Sequence, residues 1–386
     1  MLPGTERWLF GPGPSLVTPR VMRALSAPVL GHLDPDFVRI MDDLRARLER
    51  VVRAPEGSLA LAVSGTGTAA METAVANLVG PETRVLVVVT GYFGERLVDM
   101  CTRYGGHVAR VDGEWGRAID PARVQAALAS GRVDVVALVH AETSTGVRNP
   151  VADIAALAHG AGAVTLVDAV TSLGGQAFDM AAWGVDACYS AAQKCLGAPS
   201  GLSPVVFAKS ALARRVACRS FYLDLELLEA YWVGRKYHHT MSASLVYALD
   251  EALAAVEEEG LEARWARHEQ AHRMLAAAVE AMGLSLLPPA DERLMTLNAV
   301  RIPAGVDDAA VRKALREEFN IEIGSGMGPL AGQIWRIGLM GAGATPAHVL
   351  LLVGALETVV SRTGHAMTAG AGTAAAQRAA TSPIPA

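Results

Sequence analysis

The chain has 386 residues, of which 51% are hydrophobic and 19% are charged, and its formal net charge is −5. This length and apolar content are enough for one large hydrophobic core and a smaller second one, so we expect two domains. A slightly acidic chain has no basic surface of the kind that neutralises a phosphodiester backbone, which argues against a nucleic acid as partner.

The central part of the chain, from Ser58 to Lys209, alternates short runs rich in apolar and β-branched residues with longer segments of helical period. This alternation predicts an α/β fold whose mainly parallel sheet is covered by helices. Ligands of such sheets lie outside the carboxyl ends of the strands, so functional residues are expected directly after each run. The predicted strands are RVLVVVTG (84–91), HVARV (107–111), VDVVALVH (133–140), AVTLVD (163–168), VDACYS (185–190) and SPVVFA (203–208).

The C-terminal part of the chain predicts a smaller α+β domain. A long stretch of helical period runs from about Ser242 to Met282, and LMTLNAVRIPAG and IEIGSGMGPLAGQIWRIGLMG resemble strands and turns. The residues after Gly364 are rich in Ala, Gly and Thr without a periodic apolar face, which predicts a disordered tail. We divide the chain, with a boundary near Glu258, into an N-terminal arm (1–20), a large domain (21–257), a small domain (258–363) and a tail (364–386).

The cysteines and the apolar runs bear on the protein's environment. Cys101, Cys188, Cys195 and Cys218 are far apart and form no CxxC pair, so they predict buried thiols and no metal site. The apolar runs stop well short of the ~20 residues that a membrane-spanning helix needs, and the N-terminus lacks the zones of a signal peptide. We therefore expect a soluble, cytoplasmic protein that does not bind membranes.

A first candidate site is the segment AVSGTGTAAMETAVANLV, in which a Ser-Gly-Thr-Gly-Thr turn leads into an apolar helix. Free backbone N–H groups at a helix start, two glycines and three hydroxyls can together hold a phosphate. A Ser or Thr that only caps the helix explains the same residues about as well. The spacing matches neither the Walker motif nor the dinucleotide fingerprint, because no lysine follows and no GxGxxG occurs.

Further candidates follow predicted strands. Asp168 ends AVTLVD, where it could also cap a helix, and HAETSTGV crowds polar residues such as Thr143 after another strand, as polar turns often do. Lys194 lies just beyond a third strand, in YSAAQKCLGAPSG. A lysine that shares a crevice with a phosphate cradle and a carboxylate suggests a Schiff base to pyridoxal phosphate. In GYFGERL, Tyr92 and Phe93 offer a ring to stack on that cofactor.

Together these motifs resemble those of a known enzyme family. The chain resembles the class V aminotransferases of fold type I, in the alanine-glyoxylate and serine-pyruvate group. The resemblance extends from LFGPGPSLVTPRVM to about Arg362 and includes SGTGTAAMETA, GYFGER, HAETSTGV, LVDAVTSLGG, YSAAQKCLGAPSG, FYLDLELLEAYW, KYHHT and WRIGLMG. It implies a transaminase that uses pyridoxal phosphate to move an amino group from alanine or serine to glyoxylate or pyruvate, in a homodimer with shared active sites.

The resemblance also implies a role for each matched residue. Lys194 would form the Schiff base and move a proton, Asp168 would pair with the pyridinium nitrogen, and Arg336 would grip the substrate carboxylate. The other implied cofactor contacts are Thr66, Gly67, Thr68 and Gln193 with the phosphate, Phe93 with the ring, Thr143 with the ring's substituent oxygen, and Tyr237 and Thr240 with the phosphate of the neighbouring subunit.

The surroundings of Arg336 predict a short strand, QIWRIG (333–338), that places Trp335 and Ile337 on the face opposite the arginine. An arginine on a strand is most often a solvated residue, and only the resemblance gives it a substrate role. At the other end of the chain, the small residues of GPGPS (11–15) can crowd a substrate side chain and so favour short substrates.

Three positions depart from the best-known animal members of the family. Thr68 replaces a histidine, Phe93 a tryptophan and Thr143 a serine. Each replacement keeps the binding capability, because the Thr68 hydroxyl can donate to a phosphate, the Phe93 ring can stack, and Thr143 differs from serine by a methyl group. Cofactor binding is therefore expected to persist, while substrate preference stays open. Pyridoxamine-pyruvate aminotransferases have similar residues around their lysine, so the amino donor also stays open.

Two weaker alternatives use the same fold. A cysteine desulfurase-like lyase usually has a histidine before the lysine and a late nucleophilic cysteine, whereas here Gln193 precedes the lysine and no cysteine follows Cys218. A cofactor-binding module without turnover is disfavoured because Lys194, Asp168 and Arg336 are all present.

Overall fold

The computed structural model describes residues 6–382. The strands, numbered in chain order, are β1 (Trp8–Leu9), β2 (Leu59–Ser64), β3 (Arg84–Val89), β4 (His107–Asp112), β5 (Val135–Val139), β6 (Ala141–Glu142), β7 (Val147–Arg148), β8 (Val164–Asp168), β9 (Ala187–Tyr189), β10 (Leu202–Phe207), β11 (Leu297–Arg301), β12 (Ile321–Glu322), β13 (Gly324–Ser325) and β14 (Ile334–Gly338). The α-helices are α1 (Pro19–Leu25), α2 (Pro35–Val51), α3 (Gly67–Leu78), α4 (Tyr92–Arg103), α5 (Pro121–Ala129), α6 (Val151–Gly160), α7 (Lys209–Leu212), α8 (Leu225–Trp232), α9 (Ala243–Glu259), α10 (Leu261–Ala281), α11 (Asp308–Phe319), α12 (Pro346–Ser361) and α13 (Ala371–Thr381).

The central sheet confirms the predicted α/β class. Within residues 6–382 it has seven strands in the order β2-β10-β9-β8-β5-β3-β4. The strands from β4 to β9 in this order are mutually parallel, whereas β10 runs antiparallel to both β9 and β2. All six predicted strands belong to this sheet, and the carboxyl ends of its parallel strands lie on one side.

Strand β2 is the member of this sheet that the sequence does not predict. Its sequence, LALAVS, has one β-branched residue, Val63, so it lacks the usual composition of a strand. It is buried along almost its whole length and pairs with β10 over six residues, from Leu59 opposite Phe207 to Ser64 opposite Leu202. Its position matters because it ends just before the start of α3.

The buried residues form two main hydrophobic clusters. The larger cluster extends in sequence from Val21 to Val256 and surrounds the central sheet. The second cluster contains α10, α12 and the small sheet β11-β14-β13, and it includes Phe10 from the N-terminal segment. That segment joins the second cluster because β1 pairs in parallel with β12. The domain boundaries given above remain a prediction, and residues 1–5 of the arm lie outside the described residues.

The long helix predicted from Ser242 to Met282 is two helices. Gly260 separates α9 from α10 with φ +80°, a conformation that glycine adopts without steric cost. No helix within residues 6–382 combines the length and the apolar composition needed to cross a membrane.

The prediction of a disordered tail is wrong for residues 371–381, which form α13. This helix packs against α10 and α12, and Ala375 and Ala376 are buried. The buried carboxylate of Glu357 accepts hydrogen bonds from the backbone N–H groups of Gly372 and Thr373, at 3.0 and 3.1 Å. A carboxylate at a helix start stabilises it, and small side chains allow close packing without an obvious apolar stripe. Residues 383–386 of the predicted tail lie outside the described residues.

Candidate active site

A cavity of about 140 Å³ opens at the carboxyl ends of the parallel strands. It brings together residues at or after the ends of β2, β3, β5, β8 and β9. Of these strands, β3, β5, β8 and β9 are neighbours in the sheet, and β10 separates β9 from β2. The predicted site residues that line it are Thr66, Gly67, Thr68, Phe93, Thr143, Asp168, Gln193 and Lys194. The other lining residues are Met71, Arg96, Val139, Ala141 and Val170.

The phosphate cradle predicted from SGTGT is the start of α3. Thr66 is the N-cap residue, but its side chain makes no capping hydrogen bond. Among the described residues, the backbone N–H groups of Gly67 and Thr68 also have no acceptor. A Cβ on Gly67 would come within 3.2 Å of Ala191 and Val170, so glycine permits the close packing here. The helix start therefore offers free donors to an anion.

Lys194 lies after β9 in a short turn of π-helix, where its own backbone is not helical (φ −102°, ψ −131°). The side chain is partly buried, and its Nζ donates a hydrogen bond to the carbonyl of Pro12. Burial lowers the pKa of this amine to about 8. A lysine with a lowered pKa has more of the neutral amine that attacks a carbonyl near neutral pH.

The segment Gly11–Ser15, which we call the strap, lies across Lys194. The Ser15 N–H donates to the Gln193 carbonyl at 2.9 Å, and the Ser15 hydroxyl donates to the Lys194 carbonyl at 2.7 Å. Gly13 has φ +106°, and a Cβ on it would come within 2.6 Å of Nζ of Lys194. The strap therefore packs directly on the reactive end of the lysine, at a position where a side chain would have to displace that end.

Asp168 ends β8 and is almost completely buried. One carboxylate oxygen accepts from the Val170 N–H and the other from the Tyr189 hydroxyl, each at 2.9 Å. Burial raises the pKa of this carboxyl group to about 7. Within residues 6–382, no lysine, arginine or histidine nitrogen lies within 4 Å of it, so the carboxylate has no cationic partner in that part of the chain. Such a carboxylate can form an ion pair with a protonated ring nitrogen of a bound ligand.

Glu142 is a buried residue of the polar segment HAETSTGV, in which the sequence indicated no specific role for it. Its carboxylate accepts from the N–H groups of Phe93 (3.4 Å) and Gly94 (3.2 Å), at the start of α4. It also accepts from the N–H and hydroxyl of Ser144, and that hydroxyl accepts from the Tyr92 N–H at 2.9 Å. Burial raises the pKa of Glu142. This network fixes the backbone at Phe93, whose ring lines the cavity.

Thr143 lies next to Glu142 and links two parts of the site. Its hydroxyl lies 2.7 Å from the hydroxyl of Thr171, and its carbonyl accepts from Nη1 of Arg336 at 3.4 Å. Arg336 also donates from Nε to the Ser325 carbonyl at 2.6 Å. The guanidinium is mostly buried, and burial lowers its pKa to about 10.

The strand that carries Arg336 is β14, which begins at Ile334, one residue later than predicted. Trp335 and Ile337 are fully buried in the second cluster, on the face opposite the arginine, as the alternation predicts. Among the described residues, no carboxylate lies within 4 Å of the Arg336 guanidinium. A buried arginine without an acidic partner is a candidate site for a carboxylate ligand.

Tyr237 and Thr240 do not line the cavity of their own chain. They lie between α8 and α9, and both are exposed. The Tyr237 ring lies 5.3 Å from the ring of His32. Phe221 and Tyr222, also exposed, lie on the preceding connection, between α7 and α8. Within one chain, the structure therefore leaves two predicted phosphate contacts outside the site.

Arg96 lines the cavity and was not predicted from the sequence. It lies on α4, three residues after Phe93, and its Nη1 donates to the Thr68 hydroxyl at 2.9 Å. A spacing of three residues puts Phe93 and Arg96 on one helix face, which is the signal that could have identified the arginine.

Comparisons with known proteins agree with this geometry. The aminotransferase class-V family model matches residues 7–335. An (S)-ureidoglycine–glyoxylate transaminase from Bacillus subtilis (strain 168) is 36% identical over 387 residues, covering 94% of this chain and 93% of the relative. A solved alanine–glyoxylate aminotransferase from Nostoc sp. is 44% identical with a TM-score of 0.90, covering 93% of this chain and 97% of that chain. A solved pyridoxamine-pyruvate aminotransferase from Mesorhizobium loti is 31% identical with a TM-score of 0.93, covering 98% of each chain.

Proposed function

Because the chain belongs to the class V aminotransferases, which depend on pyridoxal phosphate, we propose that it moves an amino group from alanine or serine to glyoxylate or pyruvate. The observation that carries this proposal is the buried amine of Lys194 in the same cavity as the unpaired carboxylate of Asp168. Glyoxylate is favoured as the acceptor, since the relatives from Bacillus subtilis and Nostoc sp. are both named for it.

The residues around the cavity fit the cofactor. The free N–H groups of Gly67 and Thr68 would hold its phosphate, together with the Thr66 hydroxyl and Gln193. Gln193 has a buried side-chain oxygen without a partner among the described residues, so its amide has hydrogen-bonding capacity left. The Phe93 ring would stack on the cofactor ring, and the Thr143 hydroxyl would contact its substituent oxygen. When bound, pyridoxal phosphate supplies an aldehyde that takes up the amino group and a ring that accepts electrons from the substrate Cα.

Asp168 would hold a proton on the ring nitrogen of the cofactor. Its pKa of about 7 applies to a buried carboxylate without a counterion. A protonated ring nitrogen alongside it favours the charged carboxylate and lowers this pKa, so the ion pair forms over a wide range of pH. The hydrogen bonds from Val170 and Tyr189 keep the carboxylate in place for that contact.

Lys194 would have two tasks in a ping-pong sequence. Its neutral amine would first bind the cofactor aldehyde and would then be displaced by the amino donor. The released Nζ would next take the proton from the substrate Cα and deliver it on the cofactor side, as a general base and then a general acid. Its lowered pKa supports both steps, because proton transfer is efficient when the pKa lies near the working pH.

Arg336 and the strap would select the substrate. The guanidinium of Arg336 would bind the substrate carboxylate with two parallel hydrogen bonds, which also fixes the orientation of the Cα bonds. The strap residues Pro12 and Gly13 lie against the lysine amine, so little room is left there for a large substrate side chain.

We further propose a homodimer that completes each phosphate site. Tyr237 and Thr240 are exposed and lie outside their own cavity, which is the placement that contacts to a neighbouring subunit's phosphate would need. The exposed rings of Phe221 and Tyr222 would be covered in the same interface.

The proposed reaction is tested by stopped-flow absorbance of the cofactor-loaded protein mixed with single amino donors. Alanine or serine should convert the cofactor faster than (S)-ureidoglycine or pyridoxamine, and glyoxylate or pyruvate should then restore the starting spectrum. If pyridoxamine or (S)-ureidoglycine converts the cofactor and neither alanine nor serine does, the proposed donor is wrong. No conversion by any donor would contradict the transaminase reaction in this protein.

A further inference from the structure

Arg96 is a charged residue in the cavity wall that the family resemblance did not assign. Its guanidinium carbon lies 4.9 Å from the centre of the Phe93 ring and 5.4 Å from that of Tyr92. Cations favour such positions over aromatic faces. The rings and the Thr68 hydroxyl therefore hold the guanidinium at the edge of the cavity.

No acidic side chain of the described residues neutralises the charge of Arg96. Within residues 6–382, no carboxylate oxygen lies within 4 Å of it. Neighbouring arginines differ in this respect: Arg103, on the same helix, pairs with Asp99, and Arg110 pairs with carboxylates of its own. An arginine that is held in place without an acidic partner beside a cavity is suited to an anionic ligand.

The hydrogen bond between Arg96 and Thr68 has only one possible direction. A guanidinium has donors and no acceptor, so the Thr68 oxygen accepts and its own O–H proton stays free. Thr68 lies in the first turn of α3, beside the free N–H groups. Arg96 thus leaves the Thr68 hydroxyl available to donate to an anion at the helix start.

Charge balance in the cavity also points to Arg96. Among the residues that line the cavity, the basic ones are Lys194 and Arg96. A phosphate monoester carries a charge of about −1.5 to −2 near neutral pH. The amine of Lys194 would be committed to the aldehyde end of the cofactor, which leaves Arg96 as the cation available to the phosphate from the same subunit.

We propose that Arg96 is a further cofactor-binding residue, which balances the charge of the phosphate and orients the Thr68 hydroxyl towards it. The inference rests on the proposed function in one respect, namely that the phosphate lies at the start of α3. The proposed role differs from a purely structural one, in which Arg96 would only support the Phe93 ring.

The test compares pyridoxal phosphate with pyridoxal, which lacks the phosphate. Full-length protein freed of cofactor is titrated with each compound, and binding is followed by absorbance. Arg96→Gln should weaken pyridoxal phosphate about tenfold to a hundredfold, because a hydrogen bond to a charged group is lost. The affinity for pyridoxal should stay within about twofold. Arg96→Lys, which keeps the charge but not the planar fork, should fall between Arg96→Gln and the unmodified protein.

Arg103→Gln is the matched control, because it removes an arginine of the same helix that is exposed and paired with Asp99. It should change neither affinity. Equal losses for pyridoxal phosphate and pyridoxal in Arg96→Gln would mean that Arg96 acts through the ring alone, and no loss would mean that it does not act on the cofactor. Either result overturns the inference.

Failure of the inference is separable from failure of the proposed function. If the unmodified protein binds pyridoxal phosphate tightly and Arg96→Gln does so equally, only the inference is wrong. If the unmodified protein binds neither compound, both are wrong. Thermal unfolding of the cofactor-free variants identifies a folding defect. If Arg96→Gln has such a defect, the titration of Arg96→Lys decides instead. A lower affinity of Arg96→Lys for pyridoxal phosphate, relative to its affinity for pyridoxal, supports the inference, and an unchanged affinity overturns it.

Discussion

Replacing Gly13 by alanine tests whether the strap sets the position of the Lys194 amine. Gly13 has φ +106°, which a residue with a side chain adopts at a cost of about 1–3 kcal/mol. The new Cβ would lie 2.6 Å from Nζ and 2.7 Å from Cδ of Lys194. Since carbon atoms pack at roughly 3.5–4.0 Å, the lysine or the strap must move by about 1 Å.

A shift of about 1 Å at a reacting group can cost about a hundredfold in rate. We therefore expect Gly13→Ala to slow the half-reaction with the amino donor by about tenfold to a hundredfold, measured by stopped-flow absorbance. Gly131→Ala is the control, because a Cβ there meets no atom within 4 Å. A Gly13→Ala rate within about threefold of the unmodified protein, with Gly131→Ala also normal, would refute the role given to the strap.

Three further predictions concern the other parts of the site. Asp168→Asn should leave the cofactor bound but slow proton removal from the substrate Cα by several orders of magnitude, because an amide does not stabilise a protonated ring nitrogen. Near-normal half-reaction rates would mean that Asp168 only caps the backbone. Arg336→Ala should lower kcat/KM for alanine and glyoxylate alike by about 2–5 kcal/mol, with partial rescue by Arg336→Lys, whereas values within about threefold would place the carboxylate elsewhere. Light scattering should show a dimer, and Tyr237→Ala should lower the affinity of that dimer for the cofactor. A fully active monomer would contradict the shared site.

The sequence predicted the parts of the fold that local pattern determines. The runs at 84–91 and 163–168 are rich in Val and Leu because strands buried on both faces need apolar side chains throughout, so their assignment was secure. Strand β2 has mostly Ala and Leu, and its extended form depends on pairing with β10, more than 130 residues later in the chain. Helix α13 depends in the same way on the carboxylate of Glu357 and on close packing against α10.

The same distinction holds for the site. Lys194 and Asp168 could be identified because each follows an apolar run and carries a side chain with a clear chemical use. The roles of Glu142 and Arg96 could not be assigned in this way, because they depend on partners about 30 to 50 residues away, in Phe93 and Thr68, that the sheet order brings close. The three-residue spacing of Phe93 and Arg96 indicates a shared helix face but not the contact with Thr68. Spacing within one segment carries no information about such contacts.

Covalent labelling of the cofactor-loaded protein tests whether Lys194 is the residue that binds the cofactor. Borohydride treatment of the cofactor-loaded protein attaches the cofactor permanently to the amine that holds it, and peptide mass spectrometry then locates the label. We expect the label on Lys194, its loss in Lys194→Ala, and an unchanged label in Lys313→Ala, which removes an exposed lysine of α11. A label on Lys209, Lys236 or Lys313 in the unmodified protein, or a label that persists in Lys194→Ala, would contradict this expectation.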